Sequence, residues 1–318
     1  MNELLSRILN FDKRAISRSI SLIENNSPQG LSLLKKIYPY TGRAYVIGIT
    51  GPPGAGKSTI TNSLASLLSK QKHKIGIIAV DPTSPFTGGA LLGDRIRMTE
   101  LSSLDNIYIR SMATRGSLGG LSKSVYEVSL ILDAAGTDFI IVETVGVGQS
   151  ELDIAETADT TIVVLVPESG DSVQAMKAGL MEIADIFVLN KSDREGADAF
   201  VTTLRNIISL KPKLEHNWNT PIVKTIATRD TGIDKLADEI FHHSKYLQRS
   251  GLLEKKRKTH IKKKVCELIA EKLRIYFWDE TKIEYLNSKL EDLFQRKANP
   301  YHLAEELLEI FRNKTYNS

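Results

Sequence analysis

The chain has 318 residues, 42% of them hydrophobic and 25% charged, which suits a large folded core with helical additions and excludes a largely disordered chain or a small single module. Its 42 Lys and Arg stand against 38 Asp and Glu, a net +4 too small to imply a nucleic-acid partner, and no apolar run approaches the roughly 20 residues that span a bilayer. A single cysteine, Cys266, excludes an internal disulfide and a cysteine-based metal cluster; with no signal-peptide pattern, the expected address is the cytoplasm.

Two apolar-periodic stretches, residues 3–24 and 30–39, flank the turn-rich segment NNSPQG and predict a helical hairpin within an N-terminal extension, residues 1–43. Across residues 44–247, short β-branched runs alternate with helix-length segments: YVIGI, KIGIIAV, NIYIR, DFIIVE, TTIVVLV, DIFVLN and PIVKTI. Near-continuous apolar strands are needed where both faces of a sheet are covered. The expected fold is therefore α/β, with a mostly parallel, doubly wound sheet. Residues 248–318 read as a C-terminal helical region. Its last helix starts at Asn299-Pro300 and places Leu303, Leu307, Ile310 and Phe311 on one face. Between Glu254 and Lys264 seven Lys/Arg face one acid, either a solvated helix face or a surface for an acidic partner.

The sharpest motif follows the first strand: Gly51-Pro52-Pro53-Gly54-Ala55-Gly56-Lys57-Ser58, with Thr59 in the helix that opens there. Glycines let backbone N–H groups surround phosphate oxygens, and the helix N-terminus adds partial positive charge. In this pattern, that of a P-loop NTPase, Lys57 reaches the β- and γ-phosphates and Ser58 ligates Mg2+. Asn190-Lys191-Ser192-Asp193 ends the strand DIFVLN, where doubly wound sheets place ligands. The Asp193 carboxylate suits guanine, whose N1–H and 2-amino group both donate, and opposes adenine, whose N1 is an acceptor. A second base-contacting loop is expected at Ala227 and Thr228.

A Mg2+ site also needs a carboxylate at a neighbouring strand end. Glu143 meets that need, with Gly146 as the γ-phosphate sensor. Asp81, directly after KIGIIAV, and Asp94 are further candidates for the metal shell, although an ion pair with Arg95 or Arg97 is an alternative for Asp94. The expected catalytic set is Lys57, Asp81, Glu143 and Gly146. Val147 follows Gly146 where a water-orienting glutamine would stand, so slow intrinsic hydrolysis is expected unless Gln149 substitutes. Arg110 and Arg115 read equally as charge stabilisers or as surface arginines.

Taken together, the G-x-P-G-x-G-K-S loop, VDPTSPFTGGALLGDRIRM, RSMATRGSLGG, ETVGVGQSE and NKSD, in that order, resemble the MeaB/ArgK-type GTPases over about residues 45–235. The resemblance implies a GTP/GDP- and Mg2+-using chaperone that associates with an adenosylcobalamin-dependent methylmalonyl-CoA or related acyl-CoA mutase. It also implies a homodimer held by the C-terminal helices; the small net charge and the short apolar runs separately lead to the expectation of no nucleic-acid or membrane partner. In that family PESGDSVQAMKAG corresponds to an extra switch, which adds Asp171 and Lys177 to Gln149 as switch candidates. One departure is Ile226-Ala227, where the family often carries Ser-Ala. Three other readings stay open: an ATPase or kinase linked to lysine, arginine and ornithine transport, a GTP-dependent metallocentre chaperone, and a GTP-binding module with negligible turnover. His242-His243 is the only histidine pair available to the second.

Overall fold

In the computed structural model, which describes residues 2–82, 99–114, 120–144, 154–167, 179–209 and 218–316, the chain opens with helices α1 (Asn2–Leu9), α2 (Lys13–Glu24) and α3 (Pro28–Ile37). The stretch expected as one helix over 3–24 is thus two. Asp12 divides it: its carboxylate accepts from the N–H groups of Arg14 (2.9 Å) and Ala15 (3.1 Å) and caps α2. Phe11, just before it, takes a left-handed φ of 59°, which no continuous helix permits.

Strands β1 (Tyr45–Thr50), β2 (Ile75–Pro82), β3 (Ile107–Thr114), β4 (Phe139–Thr144), β5 (Thr160–Leu165), β6 (Ile186–Leu189) and β7 (Ile222–Lys224) follow, one in each apolar run read from the sequence. Helices α4 (Lys57–Lys70), α5 (Thr99–Ser102), α6 (Gly120–Ala134), α7 (Leu180–Ile183), α8 (Ala197–Ser209) and α9 (Ile233–Arg249) lie between and after them. Among the described residues the strands form one parallel sheet in the order β3-β2-β4-β1-β5-β6-β7. After β1 the chain builds outward on one side and then on the other. The crevice at the C-terminal end of β1 is therefore the switch point where such a sheet takes its ligand.

Burial on both faces explains the unbroken apolar runs: every residue of β4, β5 and β6 is buried. On one face Ile47, Ile49, Ile77 and Ile141 pack with Ile60 and Leu64 of α4 and Leu236 and Ile240 of α9. On the other, Ile78, Val80, Ile140 and Val142 meet Ile16 and Ile20 of α2, Leu33 of α3 and Val128 and Leu132 of α6. The N-terminal helices therefore complete the core of the sheet.

The chain divides into two compact units, Met1–Lys256 and Arg257–Ser318. The second contains most of α10 (Leu252–Phe277), α11 (Glu280–Phe294) and α12 (Pro300–Tyr316). Asn299 accepts from the Tyr301 N–H at 2.8 Å and caps α12, which buries Leu303 and Leu307; Ile310, expected on the same face, is exposed. Buried Lys282 lies 5.6 Å from the ring centres of both Phe277 and Phe311, with its charge met by Asp279 at 2.6 Å. No helix among the described residues is long and apolar enough to cross a membrane.

At the N-terminal edge of the sheet, opposite the switch point, a polar chain runs through the core. Tyr45 Oη lies 2.5 Å from Thr160 Oγ1, which lies 2.7 Å from His243 Nδ1. The Asp185 carboxylate, 3.6 Å from His243 Nε2, favours the ring proton there. Nδ1 then accepts from Thr160, and Thr160 accepts from Tyr45. Trp218 and Tyr246 pack around the ring, and Lys256 Nζ approaches Asp185 and donates to the Asp159 carbonyl. Burial pushes the His243 pKa below the ordinary histidine value, against the pull of Asp185. A depressed histidine pKa means that the folded state binds fewer protons. The associated stability is complete above the unfolded pKa of about 6.5 and declines as pH falls through it toward the folded value. Replacing His243 with Leu is expected to cost about 1–3 kcal/mol at pH 7.5 by stranding Thr160. Urea midpoints at pH 7.5 and 5.5 should show the gap to wild type narrowing in acid; a constant gap would remove this account.

Candidate nucleotide site

β1 delivers the chain into Gly51 at the switch point, and glycine is required there for two reasons. Its φ is 140°, and a Cβ would stand 2.1 Å from the Val164 carbonyl oxygen of β5. At the far end of the loop Gly56 has φ 90°, and its Cβ would fall 2.3 Å from Asn190 Nδ2. The loop is thus held close to two neighbouring strands. Among the described residues no side chain caps α4, and the partial positive charge of its N-terminus favours an anionic ligand there. Pro52, Pro53, Gly54 and Ala55 form the turn between, with the Ala55 N–H 3.3 Å from the Pro52 carbonyl oxygen.

Lys57, the first residue of α4, is buried, and its ammonium donates to the carbonyl oxygens of Gly51 (2.9 Å) and Pro52 (3.0 Å). The charge sits over the loop that it would share with a phosphate. Ser58 Oγ donates to Glu143 Oε1 at 2.5 Å. Glu143, nearly buried at the end of β4, is registered opposite Ile49 of β1. A hydroxyl and a carboxylate at this separation are hard oxygen donors, and that donor set fits Mg2+. Beside them, buried Thr144 Oγ1 donates to Thr50 Oγ1 at 2.9 Å, joining the entrance of the phosphate loop to the chain leaving β4. Thr59 is half-buried in the first turn of α4.

Asp81 lies near the end of β2, one residue past the Val80–Thr144 pair, so its backbone reaches the same sheet edge; its side chain lies outside the described residues. Asp94, Gly146, Gln149, Asp171 and Lys177 lie outside them as well, as does Arg115. Arg110 does not reach the site. On the opposite face of the sheet, alongside Tyr108 and Met112, its guanidinium pairs with Glu24 of α2.

Asn190 ends β6 with its side chain buried. Its Nδ2 donates to the Ala55 carbonyl oxygen (2.8 Å), and its Oδ1 accepts from the Ala227 N–H and the Thr225 hydroxyl, both at 3.1 Å. Lys191, with φ 55°, donates from Nζ to the Gly54 carbonyl oxygen at 2.9 Å. Two residues on, Asp193 is exposed. Ala227 is buried at the start of a short 3-10 turn, Ala227–Arg229, on which Thr228 is exposed. The structure therefore joins the phosphate loop, the chain after β6 and the chain after β7 at one edge. Residues not singled out from the sequence make further bonds around these segments: Ser63 to Asp230, Thr144 to Thr50 and Thr225 to Asn190. No local motif announces them, because each contact is made between elements distant in sequence.

The sequence profile of the family described as methylmalonyl Co-A mutase-associated GTPase MeaB matches residues 16–282. A Pyrococcus horikoshii protein provisionally named a GTPase is 49% identical over 97% of this chain and 98% of its own. The Escherichia coli GTPase ArgK is 38% identical over 80% of this chain and 79% of its own. A solved structure titled LAO/AO transport system kinase superposes with a TM-score of 0.72 at 26% identity, covering 98% of this chain and 97% of that one.

Replacing Asp193 with Asn exchanges a double acceptor for a group that also donates. Each charge-assisted bond to guanine is worth about 1.5–3 kcal/mol, so GTP affinity should fall by at least about tenfold. Xanthosine triphosphate, whose 2-oxo group accepts, should bind the variant better than wild type. Unaltered GTP affinity in fluorescent-nucleotide titrations would mean that the base is read elsewhere.

Proposed function

The chain belongs to the MeaB family of methylmalonyl Co-A mutase-associated GTPases, and from that premise we propose that this GTPase serves as a chaperone for an adenosylcobalamin-dependent acyl-CoA mutase, gating cofactor loading. The observation that carries the reading is the union at one sheet edge of a phosphate loop, a Ser58–Glu143 pair suited to Mg2+ and an Asp193-bearing base loop. A Caenorhabditis elegans relative, 32% identical over 98% of this chain and 83% of its own, bears the name methylmalonic aciduria type A homolog, mitochondrial, which supports the mutase as client. For this chain the proposed address is the cytoplasm.

In this reading the backbone N–H groups of residues 54–58 receive the phosphates, and Lys57 turns from the Gly51 and Pro52 carbonyl oxygens to the β- and γ-phosphate oxygens. Ser58 and Glu143 would hold Mg2+, which when bound would neutralise charge building on those oxygens. Asp81 and Asp94 would be further carboxylates for the metal, and Gly146 would report the γ-phosphate. Gln149, Asp171 and Lys177 form the switch. With Val147 at the water-orienting position, the chain alone turns over slowly, and a partner that completes the site accelerates it. The purified protein is expected to hydrolyse GTP below about 1 s⁻¹, to leave ATP untouched, and to speed up by at least about tenfold with the mutase from the same source. Indifference to the mutase would remove the client, and ATP hydrolysis would reopen the transport-kinase alternative.

The proposal includes a homodimer through the C-terminal helices. On α10, Ile261, Val265, Ile269, Leu273 and Tyr276 recur at helical spacing, with exposures from 41% at Ile261 to 66% at Tyr276. A stripe of this kind within Arg257–Ser318 supports burial against a second copy. Light scattering after gel filtration should give twice 35.3 kDa, and the Ile269→Glu, Leu273→Glu double variant half of that. A monomeric wild type at micromolar concentration would exclude the dimer.

A further inference from the structure

The chain between β7 and α9 is a small closed loop. Ile226 and Thr231 exchange two backbone bonds, the Ile226 N–H to the Thr231 oxygen at 3.0 Å and the reverse at 3.3 Å. Inside lie the Ala227–Arg229 turn and Asp230, whose φ of 53° is left-handed. A loop closed on itself still needs outside contacts to set its orientation. One is Asn190, which receives the Ala227 N–H. The other comes from α4: Ser63 Oγ donates to the Asp230 carboxylate, with the Ala227 carbonyl oxygen 3.3 Å away.

An aspartate just ahead of a helix ordinarily caps it. Here α9 begins after Gly232 with no side-chain cap, and the Asp230 carboxylate turns back to Ser63. Ser63 sits on the helix whose first residues are Lys57 and Ser58. One rigid rod thus carries the phosphate-binding residues at its N-terminus and a tether to the base loop in its second turn.

We infer that Ser63 and Asp230 form a positioning latch that fixes the 227–229 turn against α4 and so sets how long the guanine base is retained. This rests on the guanine-nucleotide reading of the site. The latch touches neither phosphate nor metal. Its loss should weaken nucleotide binding through the base alone and leave the phosphate subsite as it was.

The test uses the full chain and three substitutions. Ser63→Ala and Asp230→Ala remove the bond. Asp230→Asn keeps both an acceptor for Ser63 and tolerance of the left-handed backbone. Dissociation of N-methylanthraniloyl-GDP should accelerate about three- to tenfold in Ser63→Ala and at least as much in Asp230→Ala, with Asp230→Asn close to wild type. Competition by inorganic tripolyphosphate, which carries no base, should be unchanged in Ser63→Ala. Unchanged GDP release in Ser63→Ala overturns the latch, as does an equal loss for tripolyphosphate, which marks general damage to the fold. Asp193→Asn separates the two readings. If it weakens GDP while Ser63→Ala does not, only the latch fails; if it too leaves GDP unaffected, the base is not held here and both readings fall.

Discussion

The Asn190 side-chain amide is bonded at both ends inside the protein, and the geometry of the whole site follows from that. Its nitrogen fixes the phosphate loop through Ala55, while its oxygen fixes the chain after β7 through Ala227 and Thr225. Only an amide of this length supplies a donor and an acceptor from one buried planar group. Aspartate would place a second acceptor against the Ala55 carbonyl oxygen and bury a charge beside it. Glutamine would push one of the two loops outward. The close approach of Gly56 to Nδ2 belongs to the same arrangement, since any side chain there would displace the amide.

Around that centre the sheet acts as a frame. β1 lies between β4 and β5, so the phosphate loop leaves the interior of the sheet, where both flanking strands hold it by backbone pairing. Glu143 reaches Ser58 because β4 is the immediate neighbour of β1. Asn190 comes from one strand further on, past β5. The N-terminal helices contribute from a distance, covering the second face of β2 and β4 and taking Arg110 into an ion pair with Glu24. Together with α6, they keep Ile78, Val80, Ile140 and Val142 from water.

Much of this was legible in the residues, and the parts that were not share a cause. Seven apolar runs became seven strands because strands buried on two faces have little room for polar residues, so their edges stand out in the sequence. The loop at Gly51–Ser58 was legible because phosphate binding fixes residue type and spacing within eight consecutive positions. Asp12 was readable in principle, being a capping residue within a periodic run, but the apolar periodicity carried across it and concealed the break. Arg110 could not be assigned from its neighbours, since the face of β3 it occupies depends on how α2 packs. Ser63 and Asp230 are 167 residues apart, and nothing local in either suggests the other. The sequence suggested Asn190 as a base-loop residue, whereas its observed bonds are internal ones that require the positions of three separate loops.

The bond from Asn190 to Ala55 spans 135 residues. At a synthesis rate of about 5–20 residues per second, the phosphate loop leaves the ribosome about 7–27 s before the residue that anchors it. Its strand must also wait for partners on both edges, β4 and β5, which begin at Phe139 and Thr160. During that interval YVIGIT is a β-branched segment with two unpaired edges, the kind of nascent sequence that pairs with a neighbouring chain unless another factor shields it. The feature that places the ligand crevice in the middle of the sheet thus makes this crevice one of the last regions to assemble, and ties the yield of folded protein to what covers β1 while its neighbours are still being made.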